Sequence, residues 1–316
     1  MHSQGWSDTL WALGVMANRH VDLGEHSNMN VIMGAGAASL ANKISRGIVE
    51  HFSKSLLGMS KAGFQPPKGI TSKLATALAE HSNADPQALS NTLWALAKLD
   101  SNPGASTVND LATAMAKRSS DAVPQNLSNA LWALSQPKLH WYDAHQIPVL
   151  VAALAQHTRS PAATAQNFSN ALQALGAPKG SLRWYNADLY SQLVEGVVLK
   201  ISSSAPEALG QHFSNTMFSC ALSCHFDSNL DKLAEWGSQQ DLHCWTGQAL
   251  SNSLFAWAVL SATAGGDTAS MQKFAQHLFA EASRQGGAAF QADPDWRHHM
   301  GKLFSAHQEA LHVCLP

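Results

Sequence analysis

The chain has 316 residues, with 20 Lys and Arg against 22 Asp and Glu and a formal charge of −2. Near-neutrality is not the footprint of a generic nucleic-acid binder, so an RNA-binding reading needs its cations gathered on one face, with the 16 His residues able to add charge beside phosphate. Four Cys make no disulfide framework and point to a reducing compartment, and no apolar run is long enough to span a membrane.

The chain opens inside a repeat. Trp6-Ser7-Asp8-Thr9-Leu10-Trp11-Ala12-Leu13 is a degenerate copy of a phrase that recurs along the sequence. An opening of this kind predicts a processed or truncated start, so the lack of a presequence does not argue for the cytosol. Residues 24–66 are the least regular. Leu40 to Gly47 reads as a second degenerate copy, with Asn42 in the context of the repeat asparagine, while Gly34, Gly36 and Gly58 interrupt the pattern. This stretch is expected to form one degenerate repeat with a long second helix.

From Ser72 onward two helical patterns alternate. The first, helix A, is typified by Ser72 to His81, and its leading large apolar residue recurs as Leu74, Leu111, Leu150, Leu193, Leu233 and Phe274. The second, helix B, carries the phrase itself: Leu-Ser-Asn-Thr-Leu-Trp-Ala-Leu at Leu89 to Leu96, then close copies at Leu127 to Leu134 and Phe168 to Leu175. Looser copies follow at Phe213 to Cys220 and Leu250 to Trp257. Leu89, Leu93, Leu96 and Ala97 share one helical face and Trp94 lies on another, the pattern of a helix covered on two sides. Pro86, Pro124 and Pro206 mark helix starts.

The repeat asparagines Asn91, Asn129, Asn170, Asn215 and Asn252 are 38, 41, 45 and 37 residues apart. Each unit is therefore a helical hairpin, with length variation in the loops Ser101 to Ser106, Gln136 to Lys138, Gly176 to Ser181 and Thr263 to Thr268. The expected fold is all-α, a right-handed α-solenoid of stacked hairpins with a period of about 38–40 residues. Its expected organisation is degenerate repeats over 1–66, the array proper over 67–290 and a capping helix over 291–316.

Seven residues after the helix A leucine stand His81, Arg118, His157 and Lys200, followed by Gln240 and Glu281. Seven steps return to nearly the same face, so four repeats place a basic group in one row that could bind consecutive phosphates. Cations at helix C-termini also stabilise the helix dipole and the last carbonyls, and both readings stand. The polar face of helix A varies, with Lys73, Asn109, Asp110, Lys117, Gln192, Lys232 and Lys273 as candidate RNA contacts. A constant frame displaying different side chains is what one-base-per-repeat reading requires, and it is also what a solvated helix face looks like.

The aromatic column on helix B, with Trp94 and Trp132, is expected to pack between repeats. The asparagine column and its neighbouring serines are expected to bond backbone where helices meet, as scaffold. Cys220-x3-Cys224-His225 followed by His243-Cys244 invites a zinc reading. Cys220, however, takes the place of a core leucine and the spacing fits no standard site, so no metal is expected. Without a nucleotide-binding glycine loop, nucleophile elbow or paired carboxylates, no catalytic residue, cofactor or small-molecule substrate is expected.

The Ser-Asn-Thr-Leu-Trp-Ala-Leu phrase, Pro-Gln or Pro-Glu before it and the period together resemble the octotricopeptide repeat proteins. The match is specific at Leu89, Leu127 and Phe168, looser at Phe213 and Leu250, and poor before residue 66. The closing segment Trp296 to Leu311 resembles the helix that often precedes a RAP domain in such proteins, and the expectation is a member of this kind that lacks the RAP domain. The resemblance implies an α-solenoid that binds organellar RNA in green algae and related lineages. Its members act in transcript maturation, stability, splicing or translation, or hold fragmented ribosomal RNA in mitochondrial ribosomes. Near-neutral charge turns the expectation toward the ribosome-bound kind, in a ribonucleoprotein assembly, and toward the mitochondrion ahead of the chloroplast. The alternatives are a trans-acting factor for organellar mRNA and a protein-binding solenoid without RNA contact.

Overall fold

The computed structural model describes residues 3–19, 26–42, 49–67, 69–81, 84–99, 101–139, 145–176, 182, 184–263 and 265–292. Among the described residues the chain is all-α, with fourteen α-helices and no strand. It divides into two compact units, Met1–Ala153 and Leu154–Pro316.

The first unit holds α1 (Ser3–Asn18), α2 (His26–Ala41), α3 (Val49–Lys61), α4 (Ile70–Ala79), α5 (Pro86–Lys98), α6 (Ala105–Lys117) and α7 (Pro124–Leu134), and the division falls within α8 (Gln146–Ala155). The second holds α9 (Ala165–Gly176), α10 (Ala187–Lys200), α11 (Pro206–Leu222), α12 (Ser228–Gly237), α13 (Gly247–Thr263) and α14 (Ala269–Ala292). Alternate helices pack into rows. In the first unit α1, α3, α5 and α7 form one row and α2, α4 and α6 the other; in the second, α9, α11 and α13 lie beside α10, α12 and α14. The phrase helices occupy one row of each unit throughout.

Local chemistry sets the helix starts. Pro86, Pro124 and Pro206 each take the first helical position, where a missing N–H costs nothing. The Asp85 carboxylate accepts the Ala88 N–H at 2.6 Å, and Asn126 and Asn167 reach back to accept the N–H of Val123 and Thr164. The leucines of both patterns then meet between the rows: Leu74, Leu89, Leu93, Leu96, Leu111 and Leu127 are fully buried in the first unit, and Leu193, Phe213, Leu233 and Phe274 in the second.

Hydrogen bonds link successive A helices. Thr76 and Thr107 hydroxyls meet at 3.1 Å, Gln146 Nε2 donates to Thr113 at 2.9 Å, and Asn229 Nδ2 donates to Ser191 at 3.2 Å. Where Phe replaces Leu at the head of the phrase, helix A has a glycine against the ring. A Cβ on Gly196 would lie 2.7 Å from the Phe168 ring, and one on Gly237 2.7 Å from Phe213.

The region before residue 66 differs from the sequence expectation. Leu40 ends α2, a helix of the A row, and Asn42 lies in the turn after it; 43–48 lie outside the described residues. The missing B helix is α3, where Phe52-Ser53-Lys54-Ser55-Leu56-Leu57-Gly58-Met59 takes the place of the phrase, with Phe52, Leu56 and Met59 in the core. Among the described residues the stretch holds two helices, α2 of 16 residues and α3 of 13, so the second is not the long one. The closing segment beyond Ala292, including Trp296 to Leu311, lies outside the described residues.

Candidate nucleic-acid interface

The predicted cations behave differently in the two units. In the first, His81 follows α4 and Arg118 follows α6, and both line an open groove of about 500 Å³ together with Glu80, Asp110, Thr113 and Lys117. Arg118 Nε donates to the Asp121 carboxylate at 3.2 Å, an exposed pair worth about 0–1 kcal/mol and so readily exchanged for phosphate. In the second unit Lys200 Nζ is held at 2.9 Å on the Ser160 carbonyl, in the loop that follows α8. His157 is half-buried, and Arg159 beside it pairs with Glu195 at 3.0 Å. Glu281, which breaks the row, binds the Arg284 guanidinium, whose Nη2 also meets His243 Nδ1 at 2.6 Å.

The variable face of helix A is solvent-facing: Lys73, Asp110, Lys117, Gln192, Lys232 and Lys273 are all exposed. Asn109 is the half-buried member, and its carbonyl accepts a weak bond from Gln146 at 3.4 Å.

Helix B presents a second face. Asn91, Asn129, Asn170, Asn215 and Asn252 are half-buried, and their amide groups bond to no other described residue. The serine before each does the bonding, its hydroxyl donating to the carbonyl three residues back, as Ser90 does to Gln87 at 3.2 Å and Ser251 to Gln248 at 3.1 Å. Trp94 and Trp132 are half-buried and not in the core; their rings lie 6.3 Å apart with Lys98 Nζ over both, 5.6 and 5.0 Å from the centroids. A column of glutamines, Gln87, Gln125, Gln166, Gln211 and Gln248, stands exposed one turn before the asparagines. The Pro-Gln that marks the starts of α5 and α7 held this signal, because each Gln stands four positions before its Asn, on the same face.

The Cys and His of the zinc reading stand in different surroundings. Cys220 is fully buried, Cys244 is exposed, and His225 shares a 3.0 Å hydrogen bond with the Tyr185 hydroxyl. Among the described residues no group of three or more His, Cys, Asp or Glu is placed to hold a metal ion, and no helix is long and apolar enough to cross a membrane.

Asp227, beside His225, caps α12 through the Leu230 N–H at 2.8 Å. Burial opposes its ionisation, but the His225 imidazole, Ser191 and the Leu230 amide outweigh burial and hold its carboxyl down at about 2, from 3.8. His225 Nε2 stands 3.6 Å from the carboxylate, the span of an ion contact and not of a hydrogen bond, so the Leu230 amide is the firmest partner. A depressed folded-state pKa stabilises the fold above pH 3.8, and that stabilisation is lost as pH falls through about 2. Asp227→Asn keeps the capping oxygen but removes the titration, so its melting temperature will fall less than the parent's between about pH 5 and about pH 2. Parallel melting curves across that range would exclude this role.

The chain matches no family model and no curated protein.

Proposed function

We propose that the chain is a right-handed α-solenoid of the octotricopeptide repeat kind, with a period of about 38–40 residues, that binds RNA without catalysis in organellar gene expression. The preferred setting is a mitochondrial ribosome, with the array holding ribosomal RNA in a ribonucleoprotein assembly. A trans-acting role on chloroplast or mitochondrial mRNA uses the same chemistry on a different RNA. The observation that supports this reading is the groove of the first unit, where His81 from one repeat and Lys117 and Arg118 from the next face one open space. Two or three cations at one groove suit consecutive phosphates, and the exposed helix A positions beside them supply varied polar contacts.

The test is filter binding of single-stranded RNA to the whole chain and to Lys117→Glu with Arg118→Glu, at several salt concentrations. Loss of affinity is expected, with the slope of log affinity against log salt falling by about 1 for each phosphate contact removed. An unchanged slope and affinity would remove the groove from RNA binding.

A further inference from the structure

The second unit has a different face with a different chemistry. On α11 and α13, Gln211 with Asn215 and Gln248 with Asn252 stand one turn apart, exposed or half-buried, and none of their amides bonds to another described residue. These four side chains line a single cavity of about 300 Å³, which Gln173 of α9 extends. Buried Trp245 forms part of its wall and is locked against α11, since a Cβ on Gly210 would lie 2.9 Å from the indole. The lining holds one ionisable carboxylate, Glu207, and no Lys, Arg or His.

We propose that this amide-lined cavity is a docking site for an extended polypeptide segment that carries a basic side chain. Each Asn or Gln offers one carbonyl and one NH2, the same donor and acceptor pair as a peptide group, so a row of them matches the alternating N–H and C=O of an extended backbone. Phosphodiester is a poor fit, because its binding rests on cations that this lining lacks. Glu207 at the rim supplies the counter-charge for a Lys or Arg of the segment. The same Gln and Asn recur in every clear copy of the phrase, yet among the described residues their side chains bond to none, which is why a ligand accounts for them better than packing does. This site does not depend on the RNA reading, which concerns the groove of the first unit.

The experiment is panning of the full chain against a phage-displayed library of random dodecapeptides, followed by fluorescence anisotropy with the selected peptides. Peptides enriched in Lys or Arg are expected. Asn215→Asp with Asn252→Asp should weaken them at least about tenfold, because carboxylates keep the size but lose the donors. Glu207→Gln should weaken basic peptides selectively. Thermal unfolding of all variants should stay within about 2 °C of the parent, since these side chains bond to no other described residue. Failure to select any peptide sensitive to the Asp variants overturns the site. So does protection of Asn215 and Asn252 by a single-stranded oligonucleotide in place of peptide. The Lys117 and Arg118 variant should leave peptide binding unchanged, which separates this outcome from failure of the RNA reading.

Discussion

Phe213→Ala will lower the stability of the second unit by about 3–5 kcal/mol, the range for a buried aromatic cut to alanine. Phe213 is fully buried in α11, and its ring centroid lies 4.8 Å from that of Phe274, 5.1 Å from Trp245 and 6.1 Å from Trp236. These partners come from α14, from the link between the 3-10 turn Leu242–Cys244 and α13, and from α12, so one ring joins four segments. Collapse into the vacated space is blocked where it would be easiest, because Gly237 of α12 faces the ring and has no side chain to extend. The cost therefore includes both the lost transfer energy and the cavity. Phe213→Leu restores the residue found at Leu89 and Leu127 and should cost less, since part of the volume is kept. Urea unfolding followed by far-ultraviolet circular dichroism measures both; a loss under about 1 kcal/mol for the alanine variant would show that the aromatic cluster closes over the gap.

Much of this packing was legible in the sequence, for a physical reason. A buried helix face repeats because each hairpin meets nearly the same neighbours, so Leu89, Leu127, Phe168, Phe213 and Leu250 recur in place and all are buried. The proline helix starts were equally legible, since proline's fixed backbone angle suits the first helical turn and little else in a helix. What escaped was whatever departs from the repeat or faces outward. In α3 the asparagine is replaced by Lys54, which pairs with Asp8 at the same position of α1, so an ion pair stands in the first two copies where later ones have amides. That exchange leaves α3 without the asparagine of the phrase, whose sequence context Asn42 carries outside any phrase helix. The unbonded amides escaped for the opposite reason: they are perfectly regular, and regularity in a repeat reads as scaffold until the structure shows that no described partner exists. Of the cation row, His81 and Arg118 share a groove, while Lys200 is bonded to the Ser160 carbonyl. Seven-residue spacing gives a face but not the loop carbonyls that compete for it.

Gly58→Ala and Gly34→Ala make the same chemical change in neighbouring helices of the first unit and should shift stability in opposite directions. Alanine is the better helix former by about 0.8–1.0 kcal/mol, so propensity alone favours both variants. At Gly34 in α2 nothing opposes it: the nearest atom to an added Cβ is the Phe64 ring at 3.9 Å, an ordinary contact, and the melting temperature should rise. At Gly58 in α3 the added Cβ would lie 2.4 Å from the Leu10 carbonyl oxygen, and across the same contact a Cβ on Gly14 would lie 2.2 Å from the Gly58 oxygen. Both obstacles are backbone, which cannot rotate away as a side chain can, so α1 and α3 must separate. Separation loosens Leu10, Phe52, Leu56 and Met59 together, all at or near full burial, and overpacking of this kind costs about 1–3 kcal/mol. The penalty exceeds the propensity gain, leaving Gly58→Ala destabilised in a thermal melt. The double variant Gly14→Ala with Gly58→Ala should lose more than the single one but less than the sum, because once the first methyl has parted the helices the second meets a wider gap.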